Sequence, residues 1–115
     1  MQIIHDKISI EELKKMSKKM FGNLVKAVVD VEKEIMAVDA DLHADQEHVL
    51  LEEHESQQAN LWGINLHPTL IGTDDWIEFD SAINIRPSWG NRSRGVDNPK
   101  VQEKIKIIVN RLVTK

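Results

Sequence analysis

The chain has 115 residues, no cysteine and a formal net charge of −4, with 41% hydrophobic and 30% charged residues. This length and composition predict one folded domain over residues 1–115 and exclude a disordered chain. The lack of cysteine excludes disulfides, thiolate nucleophiles and cysteine-ligated metal sites. No apolar run approaches the roughly 18 residues of a membrane span, and residues 1–6 lack the features of a signal peptide. We therefore expect a cytoplasmic protein without a membrane partner.

Charge is distributed unevenly along the chain. Residues 30–60 carry one Lys/Arg against ten Asp/Glu, whereas residues 86–115 carry eight against two. Either the basic end segments pack beside the acidic middle within one globule, or they form a basic patch for an anionic partner. The sequence pI is 5.7, well below the value above about 9 that is typical of nucleic-acid-binding domains. Nucleic acid is therefore not an expected partner.

The N-terminal segment predicts an edge strand at Ile3-Ile4 and then a helix. Ser9 and Glu12 have the spacing of a capping box, and Gly22 can end a helix in the left-handed conformation. The apolar residues between them recur at helical spacing and are Ile10, Leu13, Met16 and Met20. The sequence predicts a helix over about residues 10–21.

The next two segments are ambiguous. An apolar seam at heptad spacing would allow a helix from residue 24 to residue 38, but alternating β-branched residues favour two antiparallel strands, about 24–31 and 34–39. The acidic segment that follows has the composition of a helix near 45–54, yet its apolar residues make a poor helical stripe. We favour a strand near 47–53 that pairs with the following segment as a hairpin.

Three short segments in the second half of the chain alternate apolar and polar residues as strands do. They are residues 61–66, 76–79 and 83–86. In the last of them the alternation predicts that the two isoleucines point inward and that Asn84 and Arg86 point the other way.

A C-terminal helix is predicted over about residues 99–113. Asn98 is a favourable N-cap and Pro99 a favourable first residue. The apolar residues Val101, Ile105, Ile108 and Leu112 then form a continuous stripe. The order of helix, strands and helix predicts an α+β fold, with an antiparallel sheet of about four to six strands and the N-terminal and C-terminal helices packed on it.

One stretch resembles a family signature. Residues 79–93, Phe-Asp-Ser-Ala-Ile-Asn-Ile-Arg-Pro-Ser-Trp-Gly-Asn-Arg-Ser, are similar to the signature of a small bacterial family known only as a domain of unknown function. Residues 42–45 and 61–68 also look similar to that family, so the resemblance covers nearly the whole chain. It implies a bacterial single-domain protein and no particular activity.

The loop 86–95 is the strongest candidate for a binding site. Guanidinium groups bind phosphate or carboxylate in a fork geometry, and glycines let backbone amides approach an anion. The candidate anion-binding residues are Arg86, Asn91, Arg92, Ser93 and Arg94. Trp89 is a candidate for stacking on a ring or for an interface contact. Alternatively, the arginines contact the acidic middle segment and Trp89 fills the core or a dimer contact.

A second, weaker constellation combines His43 with Asp45 and Asp80. Imidazole and carboxylate groups suit divalent metals, so these residues are candidate metal ligands. The spacing His43-x-Asp45 is not specific, and the alternative is that these are solvated acids around a turn.

Three functions follow from these patterns. The leading hypothesis is a non-enzymatic interaction or regulatory module that self-associates as a homo-oligomer, since no catalytic signature is present and Trp62, Trp76 and Trp89 are expected to be exposed. The first alternative is a binder of a small anion, nucleotide or other phosphate-bearing molecule, and the second is a metal-dependent enzyme at His43, Asp45 and Asp80. No cofactor is expected. The patterns favour a protein that is not an enzyme, and an enzyme is kept as the alternative.

Overall fold

The computed structural model describes residues 1–20 and 22–115. Its strands and α-helices are, in chain order, β1 (Gln2–Ile4), β2 (Ile8–Ser9), α1 (Ile10–Met20), β3 (Val25–Asp30), β4 (Ile35–Val38), α2 (His43–Glu53), β5 (Leu61–Leu66), β6 (Ile77–Glu78), α3 (Pro99–Leu112) and β7 (Val113–Thr114). Short 3₁₀ turns lie at Gln58–Asn60, Pro68–Leu70, Ala82–Asn84 and Pro87–Trp89. This content confirms the predicted α+β class.

The main sheet has five antiparallel strands in the order β1-β4-β3-β5-β6. It confirms the antiparallel pair predicted over 24–39 and the edge strand predicted at Ile3-Ile4. The strand predicted over 76–79 is present but shorter, as β6. A second, parallel pair joins β2 to β7, and no local pattern in the sequence predicted it.

The two faces of the sheet are covered differently because side chains alternate along each strand. Val25, Ala27 and Val29 of β3 belong to the larger core, together with the apolar stripes of α1 and α3. Val28 lies in the smaller core on the opposite face, which it shares with Leu50 of α2. The two terminal helices therefore pack on the sheet as predicted, and α2 covers the other face. Among the described residues no helix is long and apolar enough to cross a membrane.

The ends of α1 and α3 follow from their capping residues. The Ser9 hydroxyl accepts a hydrogen bond from the Glu12 amide at 3.2 Å, and Gly22 has a φ of 80°, the left-handed conformation that ends a helix. The last residue of the helix predicted over 10–21, Phe21, lies outside the described residues. At α3 the Asn98 side chain accepts from the Lys100 amide at 2.9 Å, which confirms the predicted cap.

The strand predicted over 47–53 is wrong, because this segment is the helix α2. The fully or largely buried residues of α2 are His43, Gln46 and Leu50, spaced three and four residues apart. Two of these three residues are polar, so the helical stripe is invisible to a pattern of apolar residues alone. The strand β5 pairs instead with β3 over its whole length.

The strand predicted over 83–86 is also wrong. Its predicted facing is reversed except at Ile83, which is partly buried against the smaller core. Ile85 is 45% exposed, whereas Asn84 and Arg86 are 0% and 8% exposed. The reason lies at the edge of β5, where β6 pairs only with Asn65 and Leu66. The side chains of Asn84 and Arg86 point inward to satisfy the part of that edge that no strand covers.

Candidate functional site

A cleft of about 180 Å³ opens on the α2 side of the sheet, where the first turn of α2 meets the 3₁₀ turn Ala82–Asn84. Its polar lining comes from four side chains on four different segments, Lys26, His43, Ser81 and Arg94. Lys26 is on β3, opposite Asn65 of β5. The cleft is therefore assembled by the antiparallel pairing of β3 and β5, with α2 docked over it.

His43 is the most constrained of these residues. Its side chain is buried at 7% exposure, and Nε2 lies 2.7 Å from the backbone carbonyl oxygen of Ile64. A carbonyl oxygen only accepts hydrogen bonds, so Nε2 must carry the proton and donate it. The neutral ring then presents Nδ1 as an acceptor, and Nδ1 has no hydrogen-bond partner within the described part of the chain.

The electrostatic surroundings keep this ring neutral. Burial is the largest effect and lowers the pKa of His43, and the positive charges of Lys26 and Arg94 lower it further. The hydrogen bond to Ile64 and the carboxylate of Asp80 raise the pKa but do not outweigh burial. The cleft is therefore lined by a neutral imidazole and two cationic side chains.

Arg94 reaches the cleft from the loop 86–95. Its Nε donates to Oδ1 of Asp80 at 2.6 Å, in a pair that is about half exposed. Its backbone carbonyl accepts from the Ser81 amide and from Nδ2 of Asn84, both at 2.9 Å. These bonds fix the loop against the turn and bring Arg94, Asp80 and His43 together.

The floor of the cleft depends on a close approach between Ser81 and Gly63. Ser81 is buried, and its hydroxyl accepts from the Ile83 amide at 3.3 Å. A Cβ atom placed on Gly63 would lie 2.5 Å from both Cβ and Oγ of Ser81. Only glycine at position 63 lets the turn approach β5 this closely.

Arg86 and Asn91 hold the loop in place from within. Arg86 donates from Nη2 to the carbonyl of Leu61 at 2.8 Å and from Nη1 to the carbonyl of Gln58. Its guanidinium also lies 4.3 Å from the ring centroid of Trp62, and burial lowers its pKa. Asn91 is buried and donates from Nδ2 to three backbone carbonyls, those of Asn84, Ser93 and Gly95. Both side chains are therefore used by the fold.

Arg92 and Ser93 form hydrogen bonds with a carboxylate of the protein itself, that of Asp97. Asp97 accepts from the Arg92 amide at 2.8 Å and from the Ser93 hydroxyl at 2.5 Å. These bonds, that of Ser93 first, lower the pKa of Asp97. The Arg92 side chain is exposed and does not line the cleft. The three arginines of the loop therefore do not converge, and only Arg94 lines the cleft.

Only two of the three candidate metal ligands lie near each other. His43 and Asp80 interact electrostatically, but Asp45 is exposed on α2 and does not line the cleft. Within residues 1–20 and 22–115 no group of three or more His, Cys, Asp or Glu residues could hold a metal ion. Lys26 was missed by sequence reasoning, because only the strand register brings it to the site.

Trp89 is exposed, unlike the two other tryptophans. Trp62 and Trp76 are buried, which corrects the expectation that all three would be exposed. Trp89 is 57% exposed and lies beside Ile85, which is 45% exposed, along a shallow groove of about 310 Å³. Its ring centroid is 5.6 Å from the guanidinium of Arg86.

Comparison with known proteins extends the sequence resemblance. A family model described as "Protein of unknown function (DUF5674)" matches residues 2–112. The chain belongs to this family. The expected membership in a domain-of-unknown-function family is thus confirmed. No curated protein matches the chain, and no solved structure matches it.

Proposed function

We propose that the protein binds a small anion in the cleft lined by Lys26, His43 and Arg94. The observation that carries the proposal is the convergence of two cationic side chains on one concave site with a buried, neutral histidine. Phosphate and carboxylate groups are the usual ligands of arginine and lysine side chains. The proposal keeps the phosphate-bearing ligand expected from the loop 86–95 but places it at the single arginine of that loop that reaches the cleft.

The size of the cleft supports a small ligand or the head group of a larger one. Sites for drug-sized molecules have volumes of about 300–1,000 Å³, whereas this cleft measures about 180 Å³. A single tetrahedral or planar anion is therefore the better fit, and a whole nucleotide would extend beyond the cleft.

The ion pair between Arg94 and Asp80 supports binding of a strongly charged group. Asp80 uses only Nε of the guanidinium, so the terminal nitrogens can donate to a second oxyanion in the bidentate manner of arginine. Because the pair is about half exposed, water screens it and a phosphate can compete with Asp80 for the same cation.

Thermal unfolding in increasing inorganic phosphate tests this proposal. A ligand at ten times its dissociation constant should stabilise the fold by roughly 1.4 kcal/mol, enough to raise the melting temperature by several degrees at this size. We expect a saturable rise with phosphate but not with sodium chloride at matched ionic strength. Arg94→Gln should abolish the rise. The matched control Arg92→Gln, in the same loop but outside the cleft, should retain it.

Two results would contradict anion binding in the cleft. One is an unchanged melting temperature over the whole phosphate range. The other is an equal loss of the rise in Arg92→Gln and Arg94→Gln, which would indicate a diffuse effect of positive charge. Loss of the exposed pair with Asp80 should itself cost under about 1 kcal/mol, so Arg94→Gln should remain folded.

Self-association is the second candidate function, favoured by the exposed pair Trp89 and Ile85. Tryptophan is a common interface anchor, and a second copy of this chain could cover the groove beside these two residues. Sedimentation velocity should then show a concentration-dependent sedimentation coefficient that Trp89→Ser abolishes. Ile107→Ser, a control at a residue that is 60% exposed on α3, should leave it unchanged. A monomer at all concentrations would overturn this candidate.

A further inference from the structure

If the cleft binds an anion as proposed above, its buried histidine determines which anion it accepts. His43 is fixed from two sides. Its Nε2 donates to the Ile64 carbonyl at 2.7 Å. One turn later on the same helix, Nε2 of Gln46 donates to the Lys26 carbonyl at 2.8 Å. These two bonds attach α2 to β5 and β3, so the imidazole cannot turn without breaking contacts that hold the helix to the sheet.

The fixed orientation determines the proton position on the ring. If Nδ1 carried the proton, the lone pair of Nε2 would face the lone pairs of the Ile64 carbonyl across 2.7 Å. If both nitrogens carried protons, a buried cation would lie between Lys26 and Arg94, opposed by burial and relieved only by Asp80. The remaining state has the proton on Nε2 and a lone pair on Nδ1.

A lone pair in an anion site repels any ligand oxygen that lacks a hydrogen. We propose that the cleft selects oxyanions that carry a proton, such as hydrogen phosphate or a phosphate monoester in its monoanionic form, and rejects sulfate. The ligand's own P–OH group donates to Nδ1 of His43, while its charged oxygens accept from Lys26 and Arg94. Sulfate has the same tetrahedral shape but no proton at neutral pH, so one of its oxygens would face the lone pair.

Isothermal titration of the full chain with phosphate and with sulfate, at pH 7.5 and equal ionic strength, tests the selection. We expect phosphate to bind at least tenfold more tightly than sulfate, without net proton uptake when buffers of different ionisation enthalpy are compared. His43→Gln should bring the two affinities together, because an amide can turn its NH₂ group toward the ligand. Circular dichroism of the variant establishes that it is folded.

The outcomes separate this inference from the proposed function. Binding of phosphate and sulfate with similar affinity would overturn the selection and leave anion binding in place. Sulfate binding coupled to uptake of one proton would also overturn it, because His43 would then act as a cation. Binding of neither anion would overturn the proposed function itself. If His43→Gln does not fold, the comparison of the two anions on the unaltered chain still decides the question.

Discussion

The side-chain amide of Asn84 forms hydrogen bonds with both backbone groups of Gly63. The Gly63 amide donates to Oδ1 of Asn84 at 2.8 Å, and Nδ2 of Asn84 donates to the Gly63 carbonyl at 2.9 Å. The side chain thus supplies the two bonds that a neighbouring strand would make at this edge of β5. An exposed strand edge is a template for pairing with another chain, and Asn84 covers it without adding a strand.

Replacing Asn84 with alanine should destabilise the fold by about 3 kcal/mol. The change leaves the amide and carbonyl of Gly63 without their partner and removes one of the two hydrogen bonds that the Arg94 carbonyl accepts. Each buried unsatisfied group costs about 1–3 kcal/mol before water enters. Urea unfolding measures the loss. Asn98→Ala, which removes an exposed helix cap worth about 1 kcal/mol, is the control, and an equal loss in the two variants would contradict the role of Asn84.

A methyl group at position 63 should destabilise the protein by about 1–3 kcal/mol, the usual cost of overpacking. It would lie 2.5 Å from the Ser81 side chain and 3.2 Å from Cγ1 of Ile83. Because most of the clash is with Ser81, a second substitution, Ser81→Gly, should restore part of the loss in Gly63→Ala. A double-mutant cycle measured by urea unfolding detects this coupling. Simple additivity of the two changes would show that the close approach is not what requires glycine.

The sequence predicts α3 and β5 well because the apolar residues of each recur at a single spacing, that of a helix in α3 and that of a strand in β5. The helix α2 was missed for a physical reason. Its buried stripe contains His43 and Gln46, and their burial is favourable only because the carbonyls of Ile64 and Lys26 accept their hydrogen bonds. Those partners lie about 20 residues away in the chain, so no local pattern reveals them.

The residues of the candidate site were predicted as members of two separate groups, and the fold brings them together. The arginine loop contributed Arg94, and the weaker metal constellation contributed His43 and Asp80. Sequence reasoning had no means of joining them, because the junction depends on the antiparallel register of β3 and β5 and on the bonds from Ser81 and Asn84 to the Arg94 carbonyl. Alternation at 83–86 imitates a strand, and only the uncovered edge of β5 explains why the polar residues point inward.

The stability of the protein should decrease as the pH falls below about 6.5, the ordinary pKa of histidine. Burial lowers the pKa of His43 in the folded state. At a pH between the pKa of His43 in the folded state and its pKa in the unfolded state, the unfolded chain binds a proton at residue 43 and the folded chain does not. The free energy of unfolding therefore falls with falling pH in this window.

Urea unfolding as a function of pH measures this effect. His43→Gln should flatten the pH dependence below 6.5, whereas His48→Gln, at an exposed position on the same helix, should not. Equal slopes in the unaltered chain and in His43→Gln would mean that another group causes the loss of stability.

Glu47 should produce the opposite dependence at lower pH. Burial raises the pKa of Glu47 above 4.5, while the charge of Arg86 and a hydrogen bond from Gln58 limit the rise. One of its oxygens, Oε2, is buried without a partner among the described residues. The folded state therefore holds a proton that the unfolded state has released, and the contribution of this proton to stability is lost as the pH rises through the raised pKa.

Urea unfolding between pH 4.5 and neutrality measures this loss of stability. Glu47→Gln should remove the loss, whereas Glu53→Gln, exposed on the same helix, should not. A dependence that persists in Glu47→Gln would assign it to a different carboxylate.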